Sequence, residues 1–259
     1  DIVSTIDSDQ IIGLSATLSY EVKERLKQLG NWHYYTITTQ DAIDMQILPE
    51  PELFVKVISL DNTDKKYPYK FKSKVINLTA REYYNQLEKN VNYWKEQYDL
   101  KGAEFRQKKW MMATLQRKRF LGEYKTTAAI ELLTQLRQKN QKMVVFSSSV
   151  EQSKLLGGKH AVHSKNTKNN NLEIIEKFNA GKTTELHACS MLQEGVNLTD
   201  TPILVMVQLD GQDRSTIQRG GRVLRHETPE VYMMVLKGTR DEVYYEKALQ
   251  LFNKKPIYI

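Results

Sequence analysis

Residues Pro202–Leu209, PILVMVQL, carry a single polar side chain, Gln208. A strand with one wet face alternates polar and apolar residues. This one does not, so it needs cover on both faces, the environment of a central strand in a parallel sheet. The surrounding sequence has the rhythm that such a sheet requires. Leu53–Leu60 alternates and β-branches as a strand, and Thr126–Lys139 is an amphipathic helix with Ile130, Leu133 and Leu136 on one face. Met143–Ser149 is a buried strand running into serines, followed by the helix VEQSKLL. His160–Ser164 is a short strand, LEIIEKFNAG a helix with a glycine stop, and TELHACSM a further strand. VYMMVL follows as the last strand, and Thr239 with Glu242 predicts a capping box for the final helix, DEVYYEKALQLF. The expected fold class is therefore α/β, a mostly parallel sheet with helices on both faces. A chain of 259 residues has room for one large or two modest domains.

Two regions depart from this rhythm. Near the start, Ile11–Leu14 reads as a short buried strand entering a Ser-Ala-Thr turn, with Ser19 capping a helix that stops at Gly30. Residues 31–51 read as a connector broken by Pro49 and Pro51. The second departure is an insertion over residues 61–124. Thr79 and Glu82 form a capping box for a helix running from about Ala80 towards Tyr98, and a second helix spans Glu104–Leu121. That second helix sets Arg106, Lys108, Lys109, Arg117, Lys118 and Arg119 against Glu104 alone. Aromatic residues are interleaved, among them Tyr83, Tyr84, Tyr93, Trp94, Tyr98 and Trp110. The aromatics read as the core of a helical hairpin. The cations read as a contact to a nucleic-acid backbone, consistent with a net charge of +7.

The chemistry concentrates in Ser215–His226, STIQRGGRVLRH. Gln218, Arg219, Arg222 and Arg225 recur at spacings of three and four, which on a helix is one face. A cluster of planar, permanently charged guanidiniums suits phosphate. Gly220 and Gly221 each cost a helix roughly 1 kcal/mol relative to alanine, which a merely solubilising face has no reason to carry. Ligands of parallel sheets bind at the carboxyl ends of the strands. That edge collects Ser147, Ser148, Ser149, His163, Ser164 and the loop Ser190–Asn197. Its hydroxyls and amides are donors for a phosphate backbone, and Asn197 and Gln218 are placed for a ribose or a base.

Two stretches are decoys. Ala180–Thr184, AGKTT, has Glu176 where a phosphate loop needs glycine, and it follows a helix instead of a strand. It reads as a turn. Asp241 and Glu242 resemble a magnesium-binding pair, but capping accounts for them. The chain thus supplies no phosphate loop and no metal carboxylate of its own. A single cysteine, Cys189, rules out an internal disulfide and reads as a buried small residue. No apolar run is long enough to span a bilayer, and no signal peptide opens the chain, so the expected compartment is cytoplasmic.

The stretches LSATL, VVFSSSVEQS, HACSMLQEGVNL and QRGGRVLR, in that order, resemble motifs III, IV, V and VI of superfamily 2 helicases and translocases. The arginine motif resembles the XPB-like and phage UvsW-like branch, and the helical insertion resembles those of Swi/Snf-type translocases. The resemblance implies a motor of two RecA-like lobes with ATP and Mg2+ between them, held mainly by a first lobe. Residues 1–46 would be the tail of that first lobe and 47–259 the second, with the insertion at about 61–124. It further implies Arg222 and Arg225 as arginine fingers, and Gln218, Gly195 and Asn197 as nucleotide contacts. Asparagine stands at 197 where the family often has aspartate. Ser147, Ser148, His163 and Ser190 would contact nucleic acid, with Lys108, Lys109, Arg117, Lys118 and Arg119 on the insertion, and Ser15 and Thr17 would couple hydrolysis to lobe movement.

The expected function is the second motor lobe of an ATP-dependent DNA helicase, inactive as an isolated chain. DNA is the preferred partner and RNA stays open. The alternative is a non-catalytic nucleic-acid-binding module of the same fold. A phosphate-binding metabolic enzyme is the weaker third reading, because no general base or nucleophile accompanies the arginines.

Overall fold

The structure, a computed structural model, describes residues 20–71, 73–189, 198–209, 226–250 and 254–259. Helix α1 spans Tyr20–Leu29 and ends at Gly30, and α2 spans Thr39–Asp44. Strand β1 is Glu52–Ser59, and a hairpin of β2 (Tyr67–Phe71) and β3 (Lys74–Leu78) follows. Helices α3 (Ala80–Lys101), α4 (Glu104–Tyr124) and α5 (Thr126–Arg137) come next. Then come β4 (Met143–Phe146), α6 (Val150–Gly157), β5 (Ala161–Val162), α7 (Lys168–Asn179) and β6 (Glu185–Ala188). β7 (Ile203–Met206), β8 (Glu230–Lys237), α8 (Arg240–Leu249) and β9 (Ile257–Tyr258) complete the described elements.

Seven strands form one sheet in the order β5-β6-β4-β7-β8-β1-β9, and every neighbouring pair is parallel. β7 lies at its centre with all four residues buried, as its unbroken apolar sequence requires. Successive side chains of a strand point to opposite faces. Val144 and Phe146 of β4 accordingly join one core, with Phe178 of α7 and Ala248 of α8. Met143 and Val145 join the other, with Leu132, Leu133 and Leu136 of α5 and Leu156 of α6. Ile130 departs from expectation. It is exposed, and Ala129 takes its place on the buried face of α5. At residues 180–184 the decoy segment is a turn, with Gly181 at a φ of +70° that favours glycine.

The insertion is more than helical. Besides α3 and α4 it holds the antiparallel pair β2–β3, in register from Tyr67↔Leu78 to Phe71↔Lys74. Pro68 within the strand and the lysines around it hide this hairpin from sequence patterning. α2 lies in the stretch whose prolines mark it as a connector, yet Thr38 and Asp41 form a capping box that starts a helix there. The insertion core of Leu60, Ala80, Tyr84, Leu87, Phe120 and Leu121 meets the sheet at Leu236.

Polar bonds then fix that seat. The Arg81 guanidinium donates to the carbonyls of Lys237 and Gly238, at 2.9 and 2.8 Å, where β8 ends. Tyr84 accepts from the Arg240 amide at 2.9 Å, and Tyr124 accepts from the Asp61 amide at 2.8 Å. At the α4–α5 junction Lys125, fully buried, reaches Asp241 at 2.7 Å and donates to the Met234 carbonyl at 3.3 Å. Burial pushes the Lys125 ammonium's pKa down, and the Asp241 carboxylate opposes that shift. Asp241 also accepts from Gln208 at 3.3 Å and from the Leu236 amide at 3.3 Å. This corrects the expected capping box. Thr239 caps α8 by accepting from the Asp241 amide, while the Asp241 carboxylate is spent on Lys125.

Close packing adds a second constraint. A Cβ placed on Gly122 of α4 would lie 2.1 Å from the Cβ and Oγ of Ser148, so only glycine lets the helix approach the end of β4. The Gly122 carbonyl accepts from Gln152 Nε2 at 2.6 Å across that contact.

Lys125→Met should lower unfolding stability by about 3–5 kcal/mol in denaturant titration, because it leaves a buried carboxylate unpaired. Lys125→Met/Asp241→Leu should recover most of that loss. Gly122→Val should cost about 1–3 kcal/mol by overpacking, read as a lower melting temperature with the far-ultraviolet spectrum retained.

Candidate functional site

The carboxyl ends of β4, β5, β6 and β7 share one edge of the sheet, because every strand in it is parallel. β4 ends into Ser147, Ser148 and Ser149. Ser149 turns the chain into α6, its hydroxyl accepting from the Gln152 amide. The Ser147 hydroxyl is buried and has no hydrogen-bond partner among the described residues. It is a donor left over at the ligand edge, which fits a phosphate oxygen.

Ser148 is placed differently from expectation. Its amide and its hydroxyl both donate to Gln152 Oε1, at 2.9 and 3.0 Å. Both of its donors are therefore committed within the protein. Gln152 was missed from sequence, yet it joins three elements. Its Oε1 holds Ser148, while its Nε2 donates to the Gly122 carbonyl and, at 3.0 Å, to the Thr126 hydroxyl. A buried amide with both ends satisfied locks the loop after β4 to the base of the insertion.

β5 exits into His163. Its amide donates to Asn171 Oδ1 at 3.2 Å, and Asn171 Nδ2 donates back to the His163 carbonyl at 3.0 Å. Asn166 donates to Asn171 Oδ1 and to the Ala161 carbonyl, at 2.9 and 3.0 Å. The imidazole is buried and its Nδ1 has no partner among the described residues. Burial pushes its pKa down, and Lys154 adds to the effect, so the ring is neutral near pH 7 and offers no cation. Beneath this edge, Gly157 lets α6 ride over β6, since a Cβ there would meet the His187 ring at 2.3 Å. His187 in turn contacts Glu185 at 3.0 Å.

The basic cluster of α4 divides into three. Arg117 is only 6% exposed, and its Nη1 donates to both carboxylate oxygens of Glu88 at 2.9 Å. The expectation that it contacts a phosphate is corrected: a buried guanidinium held by a carboxylate is a structural ion pair. Lys118 is half-buried and engaged within the protein. Arg119 is exposed and near enough to Glu151 of α6 to help lower its carboxyl pKa, behind the larger effect of Lys165. That puts Arg119 beside the serine edge. Lys108, paired with Glu104 at 2.7 Å, and Lys109 are exposed near the start of α4. At 1.5 Å per residue they stand about 15 Å along the helix from Arg119. The structure thus gathers Ser147, Ser148, His163 and Arg119 at one edge and leaves Lys108 and Lys109 apart from it.

Tyr84 is buried, while Tyr98 and Trp110 stack at 6.0 Å between centroids, so these aromatics belong to the hairpin itself. Tyr93 is exposed. Cys189 is half-buried instead of buried. Ser15, Thr17, Ser190, Gly195, Asn197, Gln218, Arg222 and Arg225 lie outside the described residues. Among the described residues there is no group of three or more His, Cys, Asp or Glu side chains able to hold a metal ion, and no helix is long and apolar enough to cross a membrane. A wide cleft of about 670 Å³, lined by Gln40, Leu48, His226 and Glu227 among others, opens at the opposite, amino-terminal edge of the sheet. That is the wrong side for a ligand of a parallel sheet.

Comparison with known proteins agrees with this geometry. A DNA 3'-5' translocase, XPB2, of Sulfurisphaera tokodaii is 30% identical over 119 residues, which are 43% of this chain and 27% of that one. A Methanocaldococcus jannaschii protein named as the ATP-dependent RNA helicase MJ1505 is 33% identical over 78 residues, 30% of this chain and 10% of that one. The chain therefore aligns with about a quarter of the first relative and a tenth of the second. Among solved structures, S. cerevisiae Dbp5 bound to RNA and ADP BeF3 superposes with a TM-score of 0.53 at 11% identity, over 95% of this chain and 50% of that one. Its L327V variant in the same complex gives 0.54. These likenesses establish a RecA-like fold. Residues 124–227 match the family described as the helicase conserved C-terminal domain.

Proposed function

We propose that the chain is the second motor lobe of an ATP-dependent helicase or translocase acting on DNA. The observation that carries this reading is the all-parallel sheet whose carboxyl edge collects the hydroxyls of the β4 exit and the β5 exit, within the stretch that matches the helicase C-terminal domain. Residues 1–46 are read as the tail of the first lobe and 47–259 as the second. Arg222 and Arg225 are assigned as the arginine fingers on the strength of the QRGGRVLR motif, with Gln218, Gly195 and Asn197 as nucleotide contacts.

ATP with Mg2+, held mainly by the first lobe, supplies the phosphoryl group and the charge neutralisation at it. The residues of this chain contribute positioning and electrostatics. Closure of the two lobes brings the guanidiniums of Arg222 and Arg225 against the charge that builds on the transferring group. The Ser147 hydroxyl and Ser190 hold one strand of nucleic acid at the sheet edge, and Ser15 and Thr17 pass the closure to that edge. Gln152 keeps the Ser148 loop rigid while this happens, since its amide is bonded at both ends. Reopening after hydrolysis advances the strand.

DNA is preferred over RNA because the XPB-like motif and the longer of the two alignments, 119 residues against 78, belong to a protein named as a DNA translocase. In the full-length protein, Arg222→Lys or Arg225→Lys should reduce nucleic-acid-stimulated ATPase by about 10³-fold or more, since an ammonium lacks the bidentate fork. Normal turnover in either variant would overturn the assignment. Measured on single-stranded and double-stranded DNA and RNA, the wild-type stimulation should be larger with DNA.

A further inference from the structure

Segment 61–124 holds 15 of the chain's 38 Lys and Arg and 8 of its 31 Asp and Glu, a net charge of +7. The remainder of the chain is electrically neutral, so the whole basic excess sits on the insertion. One face of that insertion is hollow. A cleft of about 320 Å³ opens where β2 crosses α3 and α4, lined by Pro68, Tyr69 and Lys70 of β2, Tyr83, Gln86, Leu87 and Asn90 of α3, and Gln116 of α4. It lies at the small end of the roughly 300–1,000 Å³ typical of ligand sites.

The lining combines aromatic rings with neutral amides. Tyr83, Gln86, Leu87 and Asn90 fall at helical spacings of three and four, which brings them to one face of α3. Leu87 is buried at the floor. Tyr83 is braced as a wall, stacked on Tyr67 at 5.4 Å and set edge-on to Phe120 at 5.2 Å. Tyr69 lies two residues beyond Tyr67, hence on the same face of β2, and its ring has no aromatic partner among the described residues. The three amides, Gln86, Asn90 and Gln116, have no intramolecular hydrogen bond among the described residues, and the cleft contains no carboxylate. Lys70 of the lining is exposed, as are Lys74 on the paired strand β3 and Lys89 beside Asn90 in the sequence, and none of the three makes an ion pair among the described residues.

We propose that this cleft binds a single unpaired nucleobase, with Lys70, Lys74 and Lys89 on the flanking phosphates. The inference rests on the reading of the chain as a nucleic-acid motor and adds a second contact to it, on the insertion and away from the serine edge. A primary amide presents a donor and an acceptor side by side, which matches the paired edge groups of a base. A free tyrosine face stacks on any base. A base inside a duplex presents neither its face nor its pairing edge, so the occupant is a single-stranded or displaced nucleotide. Both DNA and RNA carry that chemistry.

The test measures binding of the 259-residue chain to single-stranded DNA and RNA oligonucleotides, to the same backbones made abasic, and to duplex DNA. The variants are Gln86→Ala/Asn90→Ala/Gln116→Ala and, separately, Tyr69→Ala, all of them removing side chains that make no fold contact described above. Each variant should bind single strands about tenfold or more weakly, at the level of wild type on the abasic backbone. The slope of affinity against salt should be unchanged, because the phosphate contacts remain. A 5-iodouracil placed in the strand should photocrosslink to Tyr69. The DNA and RNA arms tell which sugar is accepted. Wild-type affinity in the triple variant, with no crosslink to Tyr69, overturns the base pocket while leaving the motor reading intact. Failure of the wild-type chain to bind any oligonucleotide overturns the nucleic-acid reading together with the pocket.

Discussion

The arrangement depends on one buried charge pair. Lys125 and Asp241 have no exposed surface, and each lone charge would be expensive away from water, so neither is tolerable without the other. Their positions in the chain give the pair its reach. Lys125 marks the exit of the insertion, Asp241 opens the last helix, and the Gln208 amide bonded to Asp241 closes the central strand. Three segments spread over 116 residues of the sequence are thereby held at one point beneath the ligand edge. An apolar contact of the same size would give comparable stability but would tolerate sliding, whereas a hydrogen-bonded ion pair fixes register.

That point also explains why the segment between β1 and α5 behaves as part of the sheet's own fold. Gly122 seats α4 on Ser148, Gln152 spans the contact, and Arg81, Tyr84 and Tyr124 bond to backbone at the ends of the neighbouring strands. Arg117 belongs to the same scaffold through Glu88, which is why it is withdrawn from the surface that its basic neighbours occupy. Cations on one helix thus separate into structural and exposed groups. The helix has a buried side and a wet side, and burial permits a charge only where a partner waits.

Much of the architecture was legible in advance. The unbroken apolar run of β7, the capping box of Thr79 and Glu82 and the glycine stop of α1 all follow from rules that act within a few residues, and all are present in the structure. The β2–β3 hairpin was not legible, because Pro68 and the flanking lysines mask its alternation and its pairing is stabilised by Tyr67 packing on α3 and α4. At the site, Ser147 and His163 could be assigned to the correct edge from strand order alone. Gln152 takes the Ser148 donors across only four residues, but its own orientation is fixed by Gly122 and Thr126, 30 and 26 positions away, which no local pattern reveals.

The sequence by itself determined the α/β class, the mostly parallel sheet, the helices α3 and α4 that interrupt its rhythm and the order of motifs, since hydrophobic period and capping chemistry are local properties of the chain. Tertiary structure alone decided which polar groups remain available to a ligand. Whether Asp241 caps a helix or neutralises Lys125, and whether Arg117 meets a phosphate or Glu88, turns on which distant groups share the same dry volume. Desolvation is a property of that volume and not of any stretch of sequence.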